Sequence, residues 1–379
     1  MAGFLLCSRL VFVHNGSGRK VENEKQQEQK MKNVKACPYA KPKDMNFKLW
    51  LLAFSFVLLA FIVLGCNESL QIAIGHPDSV GDLKAEAVRI IRDGLADDDP
   101  RIRPMAIEVV ADTRQIVLMP KVQRLLKDDF VPVRFVAAKA VGDLKYSLAK
   151  SEIMQLLKDE DGNVRIAAAY AATRLGSAEN FNILLKAIAS SDRTVRANAA
   201  LLLGKSGDKS ALKFLYWALR RNDSDDKVRF NAIEAIARLG DERIYPKLWA
   251  MLISARPDDR VTGIRAMGAL GTVQAKDSLI TMLDDDVLEV RLAAAEQLGK
   301  LGDSTGEPEV LDVFTKNLAR GMGKGDAERV KARAALAIGE IGTASLTKFL
   351  PQLLRSESKF VRIAAAKAVF SVYSGKQIR

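Results

Sequence analysis

The chain has 379 residues, 48% hydrophobic but only 6% aromatic, with a formal charge of +12. That length supports a large core and exceeds one ordinary domain unless the chain is repetitive. Two His (His14, His76) and three Cys (Cys7, Cys37, Cys66) are too few and too scattered for a zinc site, a Cys/His catalytic pair or a disulfide framework. Ten of the 58 basic and four of the 46 acidic residues fall within positions 1–65. The remaining 314 positions carry net +6, too mild to argue for nucleic acid. No metal and no cofactor is expected.

Residues 1–44 are polar, rich in Lys, Gln and Glu, and unpatterned. From Leu49 to Leu64 the chain reads LWLLAFSFVLLAFIVL, sixteen residues without a charge, preceded by Lys48. A basic stretch followed by an apolar run of this length is the pattern of an export signal, and it is short for a transmembrane helix, which needs about 20 residues. Val63-Leu64-Gly65-Cys66 follows. This resembles the lipobox of bacterial lipoproteins, which implies acylation of Cys66 as the first mature residue. Asn67, rather than Asp, then points to the outer membrane. Met45-Asn46-Phe47-Lys48 reads as an ordinary lipoprotein start, with Met31 the alternative, so 1–44 is expected to be a misassigned extension, 45–65 the signal peptide and 66–81 a linker; the other reading of the apolar run is an uncleaved signal anchor with an incidental Cys.

Beyond Asp82 one phrase recurs: an acidic residue, Val-Arg, an Ala-rich run, then Leu-Gly. It begins at Ile102, Val133, Val164, Val195, Val228, Val261, Val290, Val330 and Val361, at steps of 31, 31, 31, 33, 33, 29, 40 and 31 residues. With the first residue as position 0, apolar or small residues fall at 0, 4, 7, 8 and 11, one face of a helix. An Asp three residues earlier (Asp99, Asp161, Asp192, Asp225, Asp258) is placed to cap it. Gly176, Gly207, Gly240, Gly302 and Gly342 at position 12 are placed to end it in a left-handed conformation. Shorter helices are predicted between these at 120–127, 148–158, 180–189, 211–220, 244–253, 276–283 and 346–354, with Pro120, Pro246 and Pro351 near their starts. One such hairpin cannot bury its apolar face alone; stacking supplies the core.

The pattern resembles HEAT repeats, especially the short 31-residue type associated with phycobilisome lyases. The resemblance implies an all-α, right-handed solenoid of about nine hairpins over residues 82–379. It also implies that Arg103, Arg134, Arg165, Arg196, Arg229, Arg291 and Arg362 form a ladder with cap Asp residues of adjacent repeats. Thr262 breaks that ladder, Lys331 lacks the bidentate fork, and the stretch from Val261 to Val330 is expected to be the least regular, with extra residues around Gly302–Gly325.

In this architecture the second helix of each hairpin lines the concave surface, at positions 3, 6 and 10. Candidate partner-binding residues there are Lys139, Tyr170, Arg174, Asn198, Lys205, Asn231, Glu234, Arg238 and Lys300. The cations suit a groove for an extended or acidic protein segment; the plainer reading is that position 10 lies in the last helical turn, where cations favour the dipole. Phe214, Tyr216, Trp217 and Trp249 on the first helices are interface anchors or inter-repeat core. Gly321–Asp326 is glycine-rich but lacks the phosphate-loop spacing, and the acid clusters at 97–99 and 284–286 lack the alternation of a calcium loop. The reading that follows is a membrane-anchored, non-catalytic scaffold of the bacterial envelope, binding a protein partner. The alternative implied by the resemblance is a phycobilin lyase-like, chromophore-attaching protein; a third is binding of an anionic envelope polymer.

Overall fold

The computed structural model describes residues 79–221 and 224–373; the expected extension, the signal peptide with its lipobox, Cys66 and the linker up to residue 78 lie outside these residues. Among the described residues all regular structure is helical and falls into nine hairpins. The first five are α1 (Val80–Gly94) with α2 (Ile102–Asp112), α3 (Met119–Arg124) with α4 (Val131–Leu144), α5 (Lys150–Leu156) with α6 (Gly162–Arg174), α7 (Phe181–Ala187) with α8 (Arg193–Ser206), and α9 (Leu212–Arg220) with α10 (Asp226–Arg238). The remainder are α11 (Tyr245–Leu252) with α12 (Pro257–Leu270), α13 (Val273–Thr281) with α14 (Leu288–Lys300), α15 (Glu307–Thr315) with α16 (Lys324–Ile341), and a split first helix, α17 (Ala344–Thr347) and α18 (Leu350–Leu354), with α19 (Lys359–Tyr373). The first helices are outer and short, most with a 3-10 turn at one end; the second helices are inner and pack side by side in chain order. The first hairpin begins with a capping box, in which the Ser79 hydroxyl accepts from the Asp82 amide and the Asp82 carboxylate accepts from the Ser79 amide. The first described helix thus starts at Val80.

The start and stop signals work as the residues dictate. Asp161, Asp192 and Asp225 accept from the free amides of the first turn, and all five predicted glycines have positive φ. Arg114 and Lys145 occupy the same position 12 in the first two hairpins and adopt φ of 55° and 50° despite their side chains. Asp99 instead accepts from Arg101, which is the N-cap residue of α2.

The sixth hairpin corrects the sequence reading. Gly271 has φ +67°, which marks position 12 and makes Asp259, not Val261, position 0. The steps around it become 31 and 31, and Asp258 lies inside the first turn of α12 rather than capping it. The deception is local: Asp259 replaces the usual apolar residue, because its carboxylate is used by Arg256 (2.7 Å) and the Ser254 hydroxyl (2.8 Å). Arg260 is therefore the ladder residue. It bonds Asp285 at 2.8 Å, so Thr262 interrupts nothing. The extra residues of the 40-residue step go into the turn after α15 and a longer start to α16, which at 18 residues is the longest inner helix.

The ladder is real but uses a different acid. Arg103 and Arg134 pair with Asp128 (2.9 Å) and Asp159 (3.0 Å), five residues before position 0 of the next hairpin and not at its cap. The same arginines donate to backbone carbonyls of their own turn, Asp97 (2.8 Å) and Asp128 (2.9 Å). Where the acid is replaced by Ser190, Arg165 keeps only the carbonyl bonds to Asp159 and Glu160. Arg196 and Arg362 also donate to the carbonyls of their own turns, those of Ser190 and Ser356. Arg291 reaches Glu309 on α15 at 2.6 Å, while Arg229 and Lys331 are exposed.

The inner row packs unusually closely because position 9 is often glycine. A Cβ on Gly204 would lie 2.6 Å from the Ala235 backbone, and one on Gly339 2.6 Å from that of Ala368. Small residues on both sides let neighbouring helix axes approach. The row then closes on itself: α19 packs against α1 and α2. Ile363 reaches Gly94, while Lys359 pairs with Asp97 (2.7 Å) and Lys367 with Asp112 (2.6 Å).

Candidate functional site

Closure turns the concave face into the wall of a central cavity of about 730 Å³. Positions 6 and 10 of the inner helices supply most of its ionisable groups, because they lie on the face opposite the packed stripe. Eight cations and six carboxylates line it, so the cavity has little net charge and its chemistry depends on pairing.

The pairing runs around the ring. Lys139, which is buried, lies 3.3 Å from Asp143 and 3.9 Å from Glu108 on the preceding helix. Asp143 also takes Lys205 at 3.1 Å and a hydrogen bond from the Tyr170 hydroxyl at 2.7 Å. Burial alone would raise the Asp143 carboxyl; attraction to Lys139 and Lys205 and the Tyr170 bond outweigh it and hold the group below its usual range. Burial beside that carboxylate pushes the Tyr170 hydroxyl the other way, so it stays protonated. Glu234 bonds Arg238 at 2.8 Å and faces Arg265 at 3.9 Å, and Glu296 bonds Lys300. Arg329, brought in by the extended start of α16, bonds Glu289 (3.1 Å) and Asp326 (2.6 Å).

Arg333 is different. It sits at position 3, where the other eight hairpins carry Met105, Val136, Ala167, Asn198, Asn231, Thr262, Ala293 and Ala364. Its side chain lines the cavity at 7% exposure, yet it makes no hydrogen bond and no ion pair among the described residues. Burial holds its guanidinium below the ordinary value; Glu296 pulls it up and Arg265 pushes it down.

The structure thus brings Lys139, Lys205, Glu234, Arg238 and Lys300 to one cavity, but not as a free cationic stripe, since each is paired. Lys139, Tyr170, Asn198 and Glu234 are buried rather than displayed. Asn198 donates to the Asn163 side chain at 3.0 Å and Asn231 to the Ala197 carbonyl at 2.9 Å, so both join neighbouring inner helices. Arg174 is partly buried and its Nε has no partner. The sequence reading missed Arg265, through the two-residue register error, and Glu108, Asp112 and Lys367, which join the cavity only because the ends meet.

On the outer face Trp217 and Trp249 are 39% and 42% exposed on successive outer helices, with Ile253 and Ile280 also exposed. Arg221 stacks over the Trp217 ring at 4.7 Å and Arg243 over Tyr216 at 5.5 Å. A hollow of about 630 Å³ beside them is lined by Lys209, Lys213, Tyr216, Arg220 and Arg243.

Two-helix repeats with capped, glycine-ended inner helices and an arginine ladder define an α-solenoid class of protein. The HEAT-repeat family model matches residues 118–193, 181–261 and 254–324, more than half of the chain, and the chain belongs to that family. No curated protein matches the sequence. Among solved structures, the complex of CpcE and CpcF of phycocyanin lyase from Nostoc sp. PCC7120 is 18% identical, covering 66% of this chain and 93% of that one, with a TM-score of 0.38. Human deoxyhypusine hydroxylase in complex with glycerol is 19% identical, covering 70% and 99%, with a TM-score of 0.36. Kap95p, in a structure with RanGDP, is 13% identical, covering 75% and 44%, with a TM-score of 0.33.

Proposed function

We propose that this protein is a HEAT-repeat scaffold of the bacterial cell envelope, held to a membrane by a lipid on Cys66, and that it binds a protein partner rather than catalysing a reaction. The observation that carries the reading is the division of labour between its faces. The inner ionisable groups are mostly committed to one another, whereas the outer face exposes Trp249 and, under the Arg221 guanidinium, Trp217. Trp and Arg in an exposed cluster are the composition of interface hot spots. The cations around the outer hollow favour a partner with an acidic surface. Both His and all three Cys lie at or before position 76, so the repeat unit has no imidazole or thiol with which to do acid–base or nucleophilic chemistry near neutral pH. A lipid anchor suits a holding role, since acyl chains contribute about 0.8 kcal/mol per buried CH₂.

Two measurements test this. Palmitate labelling of the native protein is expected, and its loss in Cys66→Ser is required; labelling that survives the substitution sinks the anchor. Site-specific crosslinking in intact cells from position 217 or 249 is expected to trap a discrete adduct that Arg220→Glu abolishes. An adduct pattern indifferent to Arg220 sinks the outer docking face.

A further inference from the structure

We propose that the central cavity is a binding site for a small organic oxyanion, a carboxylate or phosphate ester, with the Arg333 guanidinium as its principal ligand. The inference stands on the inner face and is independent of the outer docking surface.

Three observations converge on Arg333. The first is pairing. Lys139, Lys205, Arg238, Arg265, Lys300, Arg329 and Lys367 all line the cavity, and each has a carboxylate within 4 Å. Arg333 alone among the described lining cations has none, although it is nine-tenths buried. Glu296 attracts this guanidinium only from beyond pairing distance, and a buried cation without a close partner is expensive, so an oxyanion from outside the chain would compensate it more fully. The second is position. Every other hairpin places an uncharged residue at position 3, where the side chain sits close to its neighbours. The third is the local architecture. The same hairpin carries the 40-residue step, and its lengthened α16 adds Arg329 to the wall near Arg333. Hairpin six contributes Ala269 to the same wall, at position 10, where every other hairpin carries a polar or charged residue.

The chemistry follows from the donors. A guanidinium presents a planar fork that matches two oxygens of a carboxylate or phosphate. Arg265 and Arg329 already hold carboxylates, so they add attraction without competing for the fork. A volume of about 730 Å³ suits a small molecule and is too small for a folded segment. Binding relieves the unpaired charge, so the oxyanion stabilises the fold as well as occupying it.

The test uses the full chain in detergent, at constant ionic strength in chloride, with sodium phosphate and citrate as separate probes. The melting temperature is expected to rise saturably with at least one of them; phosphate alone indicates a phosphate ester, citrate alone a carboxylate. Arg333→Met is expected to melt no lower than the unliganded parent and to lose the rise, with affinity reduced at least tenfold. Arg333→Lys is expected to retain a weaker rise, because a point charge replaces the fork. Ala269→Phe keeps Arg333 but fills the space, and is expected to block the rise. The proposal is overturned if neither probe stabilises the parent, or if Arg333→Met and Ala269→Phe respond as the parent does. Should Arg333→Met fail to fold, direct calorimetric titration of the parent and of Ala269→Phe decides alone: equal heats overturn it.

Discussion

At the scale of single residues, Arg114 and Lys145 show the repeat rule being broken at a cost. Both stand at the helix-ending position that is glycine in six other hairpins, and both adopt a left-handed conformation with a Cβ attached. That conformation costs a side-chain-bearing residue about 1–2 kcal/mol, partly offset by the extra chain entropy glycine loses on folding. Arg114→Gly and Lys145→Gly are each expected to raise stability by about 0.5–1 kcal/mol, read from urea midpoints at unchanged slope. Asp143 behaves oppositely. It pairs with Lys139 and Lys205 in a buried setting, so Asp143→Asn takes the nearer carboxylate from a buried ammonium, leaves Glu108 at 3.9 Å, and is expected to cost about 2–4 kcal/mol near pH 7. Because its folded-state carboxyl lies below the unfolded value of 3.8, its contribution is fully present above that value. It disappears as pH falls through the lower folded value. An acid titration of stability is therefore expected to fall below about pH 4 in the parent and to be flatter there in Asp143→Asn; identical slopes would falsify the assignment.

At the scale of elements, the close approach of inner helices rests on glycine at position 9. A methyl added to Gly339 meets the Ala368 backbone at 2.6 Å, and backbone cannot swing aside as a long side chain can. Gly339→Ala is expected to destabilise by about 1–3 kcal/mol despite its better helix propensity. Differential scanning calorimetry checks it, and a neutral or stabilising result would show that the helices slide freely. Much at this scale was legible in the sequence. The inner helices announce themselves by a face at helical period and, in α6, α8 and α10, by an Asp at the start and a Gly at the end as well, and three independent signals that agree are hard to mimic. Hairpin six deceived for a physical reason: Asp259 spends its carboxylate on Arg256 and Ser254 at a position that is elsewhere apolar, and the nearby Val261 resembles the usual start. The capping Gly271 was the signal that could have corrected the register. The outer helix α15 was hidden because its hairpin lacks the usual spacing.

At the scale of the whole unit, the closure was not legible, because no local pattern records that residues more than 250 positions apart will meet. The seam is made by Ile363 against Gly94 and by the pairs Lys359–Asp97 and Lys367–Asp112. Lys359 is half exposed, so its pair contributes at most about 1 kcal/mol. Ile363 is buried, and Ile363→Ala is expected to cost about 2–5 kcal/mol. Open solenoids unfold as nearest-neighbour arrays whose ends fray. A seam removes the ends, so hydrogen exchange in α1 and α19 is expected to be as slow as in α8. Faster exchange in Ile363→Ala should then appear at both α1 and α19 together. Exchange in the parent already fastest at the two ends would show that the seam adds nothing.

The seam also bears on descent. Open repeat arrays lengthen and shorten by duplicating or losing a unit, since a new member needs only to match its neighbours. A row whose last member must meet its first has no such freedom: a tenth hairpin would leave no place for α19 on α1, and an eighth would leave a gap. Change in this lineage is therefore confined to what a fixed membership tolerates, namely longer turns, lengthened helices such as α16, and substitutions on the outer face.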